Sequence, residues 1–325
     1  MRILNYGSLN LDYVYDVNHF VQAGETLSSD GMEIFCGGKG YNQSLAICKS
    51  GQEVWHAGAI GTSDGKRLVE TLLEEGVHIN LISKKQGSTG HAIIQKDLKG
   101  QNCILLYGGA NQKLTKEDVD FIIKQFDKGD YLILQNEVSH VGYMMEKAYE
   151  KGMQIVFNPS PMNEQIKTYP LKYVSYLILN EVEAKQISEM NTKEPKEADN
   201  KGIDNAKIRE AISGIKSINQ EVVGQVLNGV VSYLPQAKII LTLGDKGAIY
   251  VGEDTVLFQE AYKVDVVDTT AAGDTFTGFF IGALVQGKEV KEAMVLASKA
   301  AALSVTKKGA GPSIPTLEEV LVYNK

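Results

Sequence analysis

The stretch "YLILQNEVSHVGYMMEKAYEKGMQIVFNPSP" (131–161) contains the pattern that decides the fold. An apolar run, "YLILQNE" (131–137), passes into a polar loop. "GYMMEKAYEKG" (142–152) then has helical spacing, and "QIVFNPSP" (154–161) is a second apolar run ending in a loop. Strands that are apolar at nearly every position, with a helix between them, belong to a parallel sheet covered on both faces. "YLILNEVE" (176–183) and "KIILTLG" (238–244) repeat the pattern. The sequence therefore predicts an α/β fold with a central, mostly parallel sheet flanked by helices on both faces. In such sheets ligands sit beyond the carboxyl ends of the strands, where these polar loops lie.

The first hundred residues read differently. "LDYVYDV" (11–17) and "GMEIFCG" (31–37) alternate like half-exposed strands, and "TGHAIIQKDLKGQNCILLYGGAN" (89–111) reads as a hairpin. Four strands, at about 10–17, 30–37, 89–97 and 102–108, are expected to form a small sheet standing off the main body as a lid, all within one domain over 1–325. Residues 191–208 mix four lysines with four acids and carry no core pattern, so they read as a surface insertion. Apolar spacing resumes at Ile208, Ile212, Ile215 and Ile218, then Val222, Val223 and Val226, giving one or two helices.

Bulk properties narrow the classes of function. A formal net charge of −7 argues against nucleic acid and anionic membranes as partners, though not against an anionic substrate held by local donors. Cys36, Cys48 and Cys103 are widely spaced and read as reduced thiols. The five histidines, His19, His56, His78, His91 and His140, show no metal-ligand spacing. The N-terminal stretch has no basic-then-apolar leader pattern, and no window approaches a membrane span. A soluble, cytoplasmic protein is expected.

The chemistry concentrates in "VVDTTAAGDTFTG" (266–278). A strand candidate, "YKVDVVD", leads through small residues into the buried helix candidate "DTFTGFFIGALVQG". The turn thus offers free N–H groups at a helix N-terminus, an anion site. Ala271, Ala272 and Gly273 form a cradle for a transferring phosphoryl group, and Asp274 faces the attacking hydroxyl. An aspartate cannot pre-ionise an alcohol near neutral pH, but it can take the proton as the O–P bond forms, worth roughly 10²–10⁴ in rate. The competing reading is a plain N-cap. A second phosphate motif, "GALVQGKE" (282–289), fails: it ends in Glu289 rather than Ser or Thr and falls at the end of a helix, where a P-loop needs a helix start.

"CGGKGYNQSLAICKSG" (36–51) sets three glycines around Lys39 and is followed by Asn42. "GSLNLD" (7–12) places Asn10 and Asp12 on one face of a strand. Such donors and acceptors suit sugar hydroxyls. Tyr13 and Tyr15 alternate on a lid strand, where packing is favoured over stacking on a base.

In chain order, "GSLNLD", "GETLSS", "GGKGYNQSLA", "GAIGTSDGKRL", "GGANQKL", "NPSP", "LNEVEA", "LTLGDKG", "DTTAAGDTFTG" and "VTKKGAGPSIP" resemble the ribokinase-like (PfkB-type) sugar kinases over nearly the whole chain. The resemblance implies that fold with its lid, and ATP-dependent phosphorylation of D-ribose at its 5-hydroxyl. It implies Asp274 as base and Ala271, Ala272 and Gly273 as the anion hole. Asn10, Asp12, Gly38, Lys39, Asn42 and Glu137 match sugar-contacting positions. Asn180 and Glu183 match a pair near the nucleotide phosphates and Mg²⁺, and Thr242, Gly244 and Gly247 match the nucleotide loop. Asp268, Thr270, Ser304, Lys307, Gly309 and Ser313 match the loops around an activating K⁺, held largely by carbonyl oxygens. A homodimer through the lid is the expected assembly.

Three departures stand out. Tyr41 replaces a small residue and either reshapes one wall of the sugar pocket or packs under the lid. Residues 191–237 run about twenty residues longer than usual, in a kind of loop that tolerates insertion. Lys299 stands where a smaller or imidazole side chain is common. The alternatives are the same chemistry on deoxyribose, a ketohexose or a nucleoside, and a catalytically silent sugar-binding regulator. Against the regulator, Asp274, Gly273 and the "NEVE" pair are all intact.

Overall fold

A computed structural model describes residues 1–190, 205–213, 215, 218–252 and 255–323. The strands are β1 (Ile3–Tyr6), β2 (Asn10–Asp16), β3 (Gly31–Gly37), β4 (Val54–Gly61), β5 (His78–Lys85), β6 (Gly90–Lys96), β7 (Asn102–Tyr107), β8 (Tyr131–Gln135), β9 (Gln154–Asn158), β10 (Tyr176–Asn180), β11 (Lys238–Thr242), β12 (Gly247–Val251) and β13 (Val256–Glu260). The helices are α1 (Lys39–Lys49), α2 (Lys66–Glu74), α3 (Lys116–Ile123), α4 (Val141–Lys151), α5 (Glu181–Glu189), α6 (Asn205–Ile212), α7 (Gln220–Tyr233), α8 (Ala272–Val285), α9 (Val290–Ser304) and α10 (Leu317–Val322).

Nine strands form the main sheet in the order β13-β12-β11-β10-β9-β8-β1-β4-β5. It is parallel from β11 to β5, with β12 and β13 added antiparallel at one edge. The apolar runs are continuous because both faces are buried. Along β8, Leu132 and Leu134 enter one core while Tyr131 and Ile133 enter the other. The predicted α/β class, with helices on both faces, is what the chain adopts. The insertion read at 191–208 lies mostly outside the described residues, while α6 and α7 take up the apolar spacing that follows it.

β1 pairs with β4 on one side and β8 on the other, so the chain winds outward from β1 in both directions. The carboxyl ends of β1 and β8 flank this switch point, where an open α/β sheet presents its ligand crevice. A second sheet, ordered β3-β2-β6-β7, rises beside it. Its base is the row Gly37–Asn10–Gly90, four residues past the end of β1.

α8 reaches this point through a close crossing with α1. A Cβ on Gly278 would stand 2.3 Å from Ala46 Cβ, and one on Gly282 would stand 2.0 Å from Ser50 Oγ. Contacts this short are open only to glycine, so the two helices touch nearly backbone to backbone. One turn back along α8 from Gly278, Asp274 therefore lands on Asn42 and Gln43 of α1.

Candidate active site

The floor of the crevice is the turn into α1. Gly38 has φ 94°, and a Cβ there would stand 3.0 Å from Ser8 Oγ and 3.1 Å from the Asn10 amide nitrogen. The first amide of α1, on Lys39, donates to Glu137 Oε2 at 3.1 Å, and the Ser8 hydroxyl donates to the same oxygen. Glu137, carried just beyond β8, thus closes this helix end. Asn10 Oδ1 accepts from Asn111 Nδ2 at 2.8 Å, while Asn111 also bonds the Leu9 backbone in both directions.

The N-terminus of α8 is arranged otherwise. Ala271, its N-cap, holds the left-handed conformation at φ 62° and supplies no side-chain cap. Ala272 N–H donates to the Thr269 carbonyl at 3.3 Å, so one of the three amides expected to form the cradle is engaged within the chain. The Ala271, Gly273 and Asp274 amides have no partner among the described residues. A Cβ on Gly273 would meet nothing within 4 Å. Asp274 is 7% exposed, with Oδ2 accepting from Asn42 Nδ2 at 3.0 Å and Oδ1 from Gln43 Nε2 at 2.8 Å. The carboxylate is held by amides at the edge of the crevice.

Charge converges here. Burial pushes the Asp12 carboxyl up to about 7, and the Glu137 and Asp274 carboxylates add to the rise. Burial also raises Glu137, against the Lys39 charge and the Ser8 and Lys39 donors. For Lys39 burial acts downward, yet Asp274, Glu137 and Glu183 together hold its ammonium above the ordinary range. One half-buried cation thus answers three acids. Asn10, Asp12, Gly38, Lys39, Asn42, Glu137 and Asp274 all gather at this point.

Asn180 and Glu183 form a capping box on α5: Asn180 Oδ1 accepts from the Glu183 amide at 2.9 Å, and Glu183 Oε2 accepts from the Asn180 amide at 3.0 Å. One Glu183 oxygen remains outside that box. Thr242 lies beside Asn180 in register, Gly244 has φ 60° and Gly247 has φ 126°, so the two loops are neighbours at the carboxyl ends of β10 and β11. Among the described residues no three His, Cys, Asp or Glu side chains form a metal cluster.

Asp268 joins the two loops matched to a cation. Its Oδ1 accepts from the Thr270 amide at 2.9 Å and hydroxyl at 2.6 Å, and its Oδ2 accepts from the Gly309 amide at 3.1 Å. Burial opposes ionisation, but these donors hold its carboxyl below the usual range. The Ser304 and Ser313 hydroxyls turn back onto Ala301 and Ala310, and Lys307 pairs with Glu319 at 3.0 Å. Each of the three side chains already has a partner within the chain. The Asp268, Thr270, Lys307 and Gly309 carbonyls accept no hydrogen bond from described residues. Neutral oxygens of this kind fit a monovalent cation.

Tyr41 is 1% exposed and sits in the apolar core with Leu45 and Cys36, so this departure is a core substitution. Tyr13 meets the His91 ring edge-on within the small sheet. The Lys299 ammonium donates to the Tyr323 carbonyl at 2.7 Å. The sequence reading missed Asn5, Ser8, Gln43, Asn111 and Gln135. For Asn5 and Gln135 a signal existed, an amide inside an otherwise apolar strand.

Residues 2–317 match the model of the pfkB family carbohydrate kinases. The chain is 32% identical over 323 residues to a ribokinase of Haemophilus influenzae, covering 98% of this chain and 96% of that protein. It is 30% identical to a deoxyribokinase of Salmonella typhi, covering 99% and 98%. The crystal structure of a Cryptococcus neoformans ribokinase in complex with ADP superposes with a TM-score of 0.81 at 32% identity, covering 98% of each chain.

Proposed function

Because the chain belongs to the pfkB family of carbohydrate kinases, we propose that it transfers the terminal phosphoryl group of ATP to the 5-hydroxyl of D-ribose. One observation carries the chemistry: a carboxylate at the crevice edge shares its helix end with amides that no described group satisfies. The Ala271, Gly273 and Asp274 amides face the charge that develops on the migrating group, while Asp274 takes the proton of the attacking hydroxyl. The oxygen–phosphorus bond to the sugar forms as the bond to the nucleotide breaks, so no covalent enzyme intermediate is needed. Each aligned donor contributes about 10²–10³ in rate.

Asn10, Asp12, Lys39, Asn42 and Glu137 supply closely spaced donors and acceptors, which supports a small polyhydroxylated acceptor. Asn42 Oδ1 is buried and has no partner. On the nucleotide side, Asn180 and Glu183 would hold the phosphate and Mg²⁺ end, and Thr242, Gly244 and Gly247 would form the nucleotide loop. Mg²⁺ would neutralise charge between the phosphates. K⁺ among the carbonyls of the Asp268 and Gly309 loops would stiffen the α8 turn. No helix among the described residues is long and apolar enough to cross a membrane. β7 is exposed along its whole length at the edge of the small sheet, including Ile104, Leu105 and Leu106. This supports the reading of that sheet as a lid that pairs in a homodimer.

Deoxyribose is the second reading, supported by the 30% identical deoxyribokinase. ADP release measured with K⁺ and Mg²⁺ present, across ribose, deoxyribose, ketohexoses and nucleosides, separates the two. Ribose should give the highest kcat/KM. A tenfold preference for any other acceptor would replace the assignment, and release with none would favour the sugar-binding regulator.

A further inference from the structure

Behind Asp274 lies a chain of polar side chains that the reaction, as described, does not use. Asn5, Gln43, Ser44, His56 and Gln135 are all 0% exposed. Gln135 Nε2 donates to Asn5 Oδ1 at 3.0 Å and to Gln43 Oε1 at 2.7 Å. Gln43 Nε2 in turn donates to Asp274 Oδ1 at 2.8 Å. Asn5 Nδ2 is anchored on the Gly40 carbonyl at 2.7 Å and on Ser44 Oγ at 2.8 Å, and Ser44 Oγ meets His56 Nδ1 at 2.8 Å. The chain ties strands β1, β4 and β8 and helix α1 to the first turn of α8.

Its direction is fixed. Turning the Gln43 amide over would set its oxygen against the Asp274 carboxylate and its NH₂ against that of Gln135. Gln135 cannot turn over either, because it would then present oxygen to both Asn5 Oδ1 and Gln43 Oε1. Donors therefore run one way, from β8 through α1 to the acid. Room for this is made at Gly7, where a Cβ would stand 2.3 Å from Gln135 Oε1. Maintaining it has a cost: Gln135 Oε1 is buried without a partner, worth roughly 1–3 kcal/mol of lost hydration. A merely structural core would fill this space with apolar side chains more cheaply.

The two Asp274 oxygens are thus unequal. Oδ1 is held by a buried, oriented amide. Oδ2 is held by Asn42, whose own Oδ1 is unpartnered. We infer that Gln43, backed by Gln135, is a positioning residue: it fixes Asp274 Oδ1 so that Oδ2 points at the acceptor hydroxyl. The inference rests on Asp274 as the proton acceptor, and the experiment separates the two.

Turnover, KM and the pH profile of kcat are measured for Gln43→Met, Gln43→Glu, Gln135→Met and Asp274→Asn. Gln43→Met preserves volume and removes the donor. It should lower kcat about 10- to 100-fold while both KM values stay within about threefold. Gln43→Glu sets a like charge against Asp274 Oδ1, so the acid-side fall of kcat should move up by at least about one pH unit. Gln135→Met loosens the same contact from behind and should show a smaller loss in the same direction. It also serves as the test should Gln43→Met fail to fold. Gln43→Met and Gln135→Met both at wild-type kcat, beside a silent Asp274→Asn, would overturn the positioning role alone. An unmoved acid limb in Gln43→Glu would overturn it too. Full turnover in Asp274→Asn would overturn the base assignment and the positioning role with it.

Discussion

Two helix N-termini meet at the site, and the chain treats them in opposite ways. α1 begins at Lys39 with its first amide bonded to Glu137 at 3.1 Å. α8 begins at Ala272 with no side-chain cap and with the Gly273 and Asp274 amides unpartnered. A third terminus, on α5, is closed by the box between Asn180 and Glu183. A helix N-terminus carries partial positive charge and orphan donors, and an anion of the chain's own normally answers them. Where that anion is supplied, the terminus is scaffold. Where it is withheld beside a crevice, the terminus is prepared for an anion from outside. Under the proposed function α1 and α8 divide the labour: one fixes the floor, the other receives charge.

Removing a donor from the open terminus should break this comparison most severely. Gly273→Pro deletes an amide hydrogen in a helix's first turn, where proline is tolerated. Gly273→Ala adds a Cβ but keeps the hydrogen. Relative to Gly273→Ala, Gly273→Pro should lose about 10²–10³ in kcat, with the sugar KM little altered. Steady-state kinetics of the pair decide it, and equal rates would remove the Gly273 amide from the cradle.

The next effect is on stability and follows from Asp12. Burial pushes its carboxyl up to about 7 in the folded protein, against about 4 in an unfolded chain. Between those values the folded state binds the extra proton, so stability falls as pH rises through that window. Asparagine carries no such charge. Asp12→Asn should therefore be more stable than the parent at pH 8 by up to about 4 kcal/mol, and the gap should close as pH drops toward 4. Urea titrations at the two pH values test this. A gap independent of pH would place the cause elsewhere.

At the closed terminus the effect is smaller and opposite in sign. Glu137→Ala uncaps α1 and takes one counter-charge from Lys39, so ligand-free stability should fall by about 1 kcal/mol. Gly273→Ala at the open terminus should not lower it, since the added Cβ meets nothing within 4 Å. Chemical denaturation of both variants tests the contrast directly. Equal losses would mean that the two termini are structurally alike.

Legibility followed the range of the interactions. β8, β9, β10 and β11 were readable because burial on both faces makes a strand apolar at every position. Asp274 and Gly273 were readable because a helix start needs only a few adjacent residues. The Asn5–Gln135–Gln43 chain was not. Its members lie 92 and 130 residues apart and meet only through the register of β1 with β8 and the seating of α1 on both. The Ser304, Lys307 and Ser313 side chains bond Ala301, Glu319 and Ala310, contacts that no local sequence pattern marks. Tyr41 could not be resolved from sequence, since a tyrosine suits a pocket wall and a core equally well.

The smallest effect concerns Ala271, whose left-handed backbone at φ 62° turns the α8 amides outward. An L-residue pays about 1–2 kcal/mol for that conformation, and glycine pays little. Glycine, however, also gains freedom in the unfolded chain, which offsets roughly 0.4–1 kcal/mol. Ala271→Gly should therefore stabilise the protein only by about 0.5 kcal/mol, read as a slight rise in melting temperature. If alanine is there for stiffness, the same change lets the turn sample other orientations, and kcat should fall a few-fold as the amides lose alignment. Increased stability together with slower turnover would identify the strain as part of the open terminus, and unchanged turnover would reduce it to an unfavourable turn.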